Sequence, residues 1–265
     1  MNKTCFVLLV FLIAFGKLHA QNSSPKRFHV IALYENGGHH IAYSKAARMW
    51  LDKLAADSNF AIDYINKTDS IDDEFLSRYQ LFIQLDYPPY AWTKNAEQAF
   101  IKYIGQGKCG WIGFHHATLL GEFDGYPMWQ WFSDFMGGIK FKNYIPDFAD
   151  GKVKVEDAKH PCMKGLPKEF VINKEEWYTY DKSPRANVKV LASVDESTYT
   201  PATDTKMGDH PVVWTNPKYA ARNIYIFMGH APQLFDNAAY TTLFRNAIFW
   251  AAQGRKSLPL GHGEH

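Results

Sequence analysis

The chain has 265 residues, with 29 basic and 27 acidic side chains and 46% hydrophobic residues, enough to bury one large core without disulfide or metal staples. Charge this evenly balanced gives no support for nucleic acid or an anionic membrane surface as partner, both of which favour a basic patch or stripe. The 8 Trp, 15 Tyr and 19 Phe suit a dense core and the faces of sugar rings equally well.

The first segment is read apart from the fold. Lys3 precedes the apolar run Cys5 to Phe15, and Leu18-His19-Ala20 follows it. This is the layout of a secretory signal at residues 1–20, cut after Ala20. An apolar run of 11 residues is too short to span a bilayer, which argues against a retained anchor, and no later stretch approaches that length. Its removal leaves 27 basic residues against 27 acidic ones, so a neutral mature chain is expected in the periplasm or outside the cell. Cys5 belongs to the signal, Cys109 to a strand and Cys162 to a loop. One disulfide is arithmetically open, but a buried cysteine behaves as a small hydrophobe, which disfavours it.

A polar leader at 21–27 opens the mature chain. Phe28 to Tyr34 is then almost continuously apolar, as in a parallel strand covered on both faces. Glu35-Asn36-Gly37-Gly38-His39-His40 reads as a turn, and Ala47, Trp50, Leu51 and Leu54 mark a helix over Ile41 to Ala56. A second unit has a strand at Phe60 to Ile65 and a short helix from Ile71 to Tyr79 capped by Asp69 or Ser70. Leu81 to Leu85 is the third strand, Asp86 to Tyr90 breaks the chain, and Thr93 caps a helix facing inward through Ala96, Phe100, Ile101 and Ile104. The next strand, Gly110 to Phe114, ends in His115 and His116, at the edge where open α/β sheets bind ligands. Neighbours on an extended chain point to opposite faces, so one of the two imidazoles is expected in a pocket, and the sequence does not choose between them.

Four alternations of strand and helix predict a doubly wound, mostly parallel sheet. The second half predicts a β-rich excursion. Extended segments run from Lys140 to Asp157, the polar and aromatic run Glu175 to Tyr180 follows, and a strand covers Val188 to Val194. Two strands, His210 to Trp214 and Asn223 to Met228, flank the turn Asn216-Pro217-Lys218, and Tyr240 to Ala252 closes the fold as a helix before a frayed tail at 254–265. One domain at 28–253 is expected.

The carriers of a family resemblance are the opening strand with Gly37-Gly38-His39, the strand Gly110 to His115, Glu176-x-Tyr178, His210-Pro211-Val212 and Gly229-His230. On these the chain resembles the ThuA-like family, named for trehalose utilisation, whose fold is similar to class I glutamine amidotransferases. Where amidotransferases of this fold place a cysteine nucleophile, at the sharp turn after the corresponding strand, this chain has His115. The resemblance therefore implies a carbohydrate ligand and no thiol chemistry.

His39, His115, Glu176, His210 and His230 each adjoin a strand end or turn. We read His115, Glu176 and His230 as the acid–base set, and Gly38, His39, Tyr178 and His210 as substrate-binding. Imidazoles with a carboxylate also suit zinc, with His39, His115 and His230 as ligands and Glu176 as the nearest carboxylate. No HExxH spacing is present, and the plain alternative for each histidine is a core or capping role. Tyr178 and Tyr180 share a face of an extended segment, with Trp177 packed behind, while Glu175 reads as a solvated neighbour. The expected function is an exported enzyme acting on a sugar or keto-sugar, as hydrolase, isomerase or lyase. The alternative is a non-catalytic carbohydrate-binding module.

Overall fold

The computed structural model describes residues 25–254 except 91 and 108. The expected signal at 1–20, most of the leader and the tail from 255 lie outside the described residues. The first half runs β1 (His29–Tyr34), α1 (Ile41–Ser58), β2 (Ala61–Ile65), α2 (Asp73–Ser77), β3 (Leu81–Leu85), α3 (Lys94–Gln106) and β4 (Gly110–Phe114). Every residue of β3 and β4 is buried, as expected of strands apolar but for Gln84 once helices cover both faces. Thr93 caps α3 by accepting from the Ala96 amide. The cap of α2 is Asp72, which accepts from the Phe75 amide, rather than Asp69 or Ser70, so this helix starts later than its apolar spacing predicts.

The second half comprises α4 (Gln130–Phe135), β5 (Phe141–Tyr144), β6 (Ala149–Val155), β7 (Glu169–Glu175), β8 (Tyr178–Tyr180), β9 (Lys189–Thr200), β10 (Pro211–Thr215), β11 (Arg222–Ile226) and α5 (Ala238–Ala251). Nine strands form one sheet in the order β2-β1-β3-β4-β11-β10-β9-β6-β7. The first five in this order are parallel, and the other four continue antiparallel. β5 and β8 make a separate antiparallel ribbon. Burial alternates along most of β6 and β7, the mark of strands with one wet face.

Period-two geometry sends Trp111 and Phe114 of β4 to opposite layers. The Trp111 ring meets Phe135 of α4 at 5.0 Å, while Phe114 meets Phe244 of α5 at 4.6 Å. No helix among the described residues is long and apolar enough to cross a membrane. Cys109 and Cys162 are both buried and free.

Candidate functional site

Strand order reverses between β1 and β3, the kind of position where open α/β sheets bind ligands at their carboxyl edge. Four side chains meet there: His40, His115, Glu176 and His230 each bring one ligating atom within 4.8 Å of the others. His40 Nε2 faces His230 Nδ1 at 3.0 Å. Glu176 Oε2 lies 3.3 Å from His115 Nε2 and 3.4 Å from His230 Nδ1.

His115 is delivered by a break in strand geometry. β4 stops at Phe114, and His115 takes a left-handed backbone, φ 31°, as it enters a 3-10 turn over His115–Thr118. Such a conformation is costly for a side chain as large as histidine. Here the hydroxyls of Thr118 and Tyr225 hold it by donating to the His115 carbonyl at 2.9 and 3.0 Å. The expected divergence of His115 and His116 is therefore absent. Their rings lie nearly parallel with centroids 5.5 Å apart, and both stand beside His40. His115 Nδ1 lies 3.3 Å from the Phe227 carbonyl and Nε2 3.3 Å from Glu176, two acceptors for the single proton of a neutral ring.

Two residues read as site members are placed elsewhere. His39 is exposed and does not join the cluster, and its neighbour His40, at the N-cap of α1, takes that position. The reason is helix phase: His40 leads Tyr43 and Ala47 by three and seven residues, on the face that α1 buries. His210 is buried away from the cluster, with Nδ1 donating to Glu196 at 2.9 Å. Gly38 has φ 61°, a conformation that suits glycine, and it turns the chain between Glu35 and His40. The Tyr178 ring packs 4.3 Å from His115. Tyr180 does not share that environment: its hydroxyl sits in a buried knot with Thr118 and Tyr225.

Charge is unevenly spread over the four. Burial, aided by the neighbouring His40 and His116, pushes His115 down to about 3, so it is neutral. Burial likewise takes His40 down to about 4. Burial opposes ionisation of Glu176, but the His115 and His230 hydrogen bonds outweigh it and hold the carboxyl below its usual range. For His230, burial is overcome by Glu176 and Glu175, which raise it above an ordinary imidazole.

A family model described as ThuA, trehalose utilisation, matches residues 29–251. The chain belongs to the ThuA family. A ThuA-like protein from Bacteroides uniformis is 31% identical, with TM-score 0.76 over 88% of this chain and 94% of that one. A second, from Parabacteroides merdae, is 17% identical with TM-score 0.62, over 89% and 94%. A GMP synthase protein from Thermoplasma acidophilum shares the fold at 14% identity and TM-score 0.50, over 85% and 94%. No curated protein matches.

In this ThuA chain Cys109 lies just before β4, at the end opposite the His115 turn, its Sγ–H donating to the Tyr103 carbonyl at 3.3 Å. Burial pushes its thiol up to about 12. Three more carboxylates stand beside the cluster, Glu35 and Asp86 without a sequence expectation and Glu175 against one. Glu35 Oε2 lies 3.2 Å from His40 and 3.0 Å from His116. Burial opposes its ionisation, but His116 and His40 prevail and hold it at about 2. Glu175, read as solvated, is 1% exposed and 3.8 Å from His115 Nδ1, and burial raises it to about 7. A bulge explains the error: Lys174 has φ 50° and the β6–β7 register slips there, which turns Glu175 inward. Asp86 ends β3 with both carboxyl oxygens buried and unpartnered, and burial raises it well above the usual range. A Cβ at position 229 would lie 2.7 Å from Asp86 Oδ1 and 2.8 Å from His115 Cβ, so glycine there lets the β11 end approach both.

Proposed function

We propose that this ThuA protein is an exported enzyme acting on a sugar or keto-sugar derivative, with His40, His115, His230 and Glu176 holding a zinc-class cation. The observation that carries the reading is the convergence of three imidazole nitrogens and one carboxylate oxygen from four separate segments. Zinc bonds of about 2.0–2.2 Å set tetrahedral neighbours about 3.3–3.6 Å apart. The closest approaches among the four are 3.0, 3.3 and 3.4 Å, so the donors fit such an ion with small adjustment. Four protein donors fill a tetrahedral ion, so a cation there would polarise a sugar oxygen, or bring a bound water toward neutral acidity, by expanding to a fifth ligand.

The chain's own groups supply the rest. The Phe227 carbonyl orients His115 as an outer partner orients a ligating ring. Tyr178 walls one side of the His115 ring, its hydroxyl kept protonated by burial and by the Glu176 charge, so it can donate to a substrate oxygen. Phe148, 47% exposed with its ring 4.3 Å from His230, offers a flat apolar face to a sugar. Carbohydrate is supported by the family's description, and export by the leader-like first residues.

Purified protein screened against plain disaccharides and keto-glycosides tests the reading. Turnover that His115→Ala abolishes is expected, and no turnover on any of them overturns the enzyme. The exposed Phe148 also favours a second reading, a carbohydrate-binding module, for which sugar affinity would survive His115→Ala and weaken on Tyr178→Ala.

A further inference from the structure

Beside the four-residue set lies a second group that shares one member with it. Glu35, His40 and His116 also bring one ligating atom each within 4.8 Å of the others. Glu35 Oε2 stands 3.2 Å from His40 Nδ1 and 3.0 Å from His116 Nδ1. All three atoms are shut off from solvent, yet none makes an aligned hydrogen bond. A carboxylate behind a ligating imidazole ordinarily accepts its N–H in line and so fixes the ring. Glu35 does not: two nitrogens crowd one oxygen at hydrogen-bond distance without hydrogen-bond direction. Neighbouring ligands of a single cation have this relation, because bonds of about 2.1 Å at right angles leave the ligand atoms about 3.0 Å apart.

We propose that Glu35 Oε2, His40 Nδ1 and His116 Nδ1 form a second divalent-cation site, joined to the first through the His40 ring. This rests on the cation reading of the first site, whose ligand from this ring is His40 Nε2. Two imidazoles and one carboxylate with open positions suit zinc, iron(II) or manganese(II). Binding there displaces the His40 Nδ1 proton to solvent, leaving an imidazolate shared by two cations. A cavity of 360 Å³ reaches Glu35 of this group, with Asn36 and Ser44 also in its lining. Two cations on opposite edges of one ring would grip two oxygens of the same sugar, which favours a substrate with adjacent hydroxyl or carbonyl groups.

Metal-free protein without an affinity tag, loaded with zinc and desalted, gives the test by elemental analysis. Two equivalents per chain are expected, falling to one in His116→Asn and in Glu35→Gln, with an extra proton released during uptake of the second. The equivalent kept by both variants shows that they fold. One equivalent in the unaltered protein, lost on His115→Ala but kept by His116→Asn, overturns this second site and leaves the first standing. No retained zinc at all overturns both.

Discussion

Two buried histidine–carboxylate groups flank the Phe227 ring, which lies 5.5 Å from His115 and 5.8 Å from His210. They are built on different principles. Glu196 accepts from the Met207 and Gly208 amides at 2.7 and 2.8 Å and from His210 at 2.9 Å, so its lone pairs are filled by the fold itself. Glu176 receives no backbone amide among the described residues and faces two imidazoles through one oxygen. A buried carboxylate costs little when its hydrogen bonds are complete. The first group is therefore a clamp between β9 and the loop before β10, and the second is a convergence of donor atoms that a ligand can complete.

The largest effect that sharpens this contrast is expected at the clamp. Glu196→Ala leaves His210 and the Met207 and Gly208 amides without their acceptor, and a loss of about 1–3 kcal/mol is expected for each donor left unsatisfied. Urea unfolding measures it, and bound zinc should stay unchanged. Zinc lost together with stability would mean that the two groups are one unit.

Acid titration of the metal-free protein separates them next. His40 and His115 are held near 4 and 3 by burial, whereas an unfolded imidazole takes its proton near 6.5. The unfolded chain thus binds more protons in this range, so stability present above about pH 6.5 is lost as pH falls toward 4 and then 3. About 2 kcal/mol per ring at most is expected to be gone by pH ~5. His230, raised by Glu176 and Glu175, works in the opposite sense and weakens as pH rises through its folded value. Glu196 is held low, burial being outweighed by His210 and the two amides, and loses its contribution only below the ordinary carboxylate range. Urea midpoints between pH 7.5 and 4.5 should therefore flatten in His115→Ala and keep their slope in Glu196→Gln, and the reverse would break the contrast.

The smallest effect belongs to the rim. Phe148→Ala should weaken sugar binding by about 0.5–1.5 kcal/mol in calorimetry while changing stability by less than about 0.5 kcal/mol, since half the ring is already in water. Unchanged affinity would remove Phe148 from the ligand's path.

What the sequence by itself determined is whatever a local period can encode. Largely apolar runs specified β1, β3 and β4, Thr93 marked the start of α3, and the Gly110 to His115 stretch pointed to the sheet edge where the histidines meet. Sequence reading of the turn selects His39, although the spacing to Tyr43 and Ala47 places His40 on the buried face of α1. Tertiary structure alone decided the rest. Extended-strand alternation could not foresee the left-handed turn that brings His115 and His116 together, nor the bulge at Lys174 that turns Glu175 inward. The pairing of His210 with Glu196, 14 residues apart across a loop, has no periodic trace. Periodicity reports which face a residue takes within its own element. Which atoms then meet across elements depends on where each loop turns and which strands become neighbours, and those are set only when the whole sheet closes.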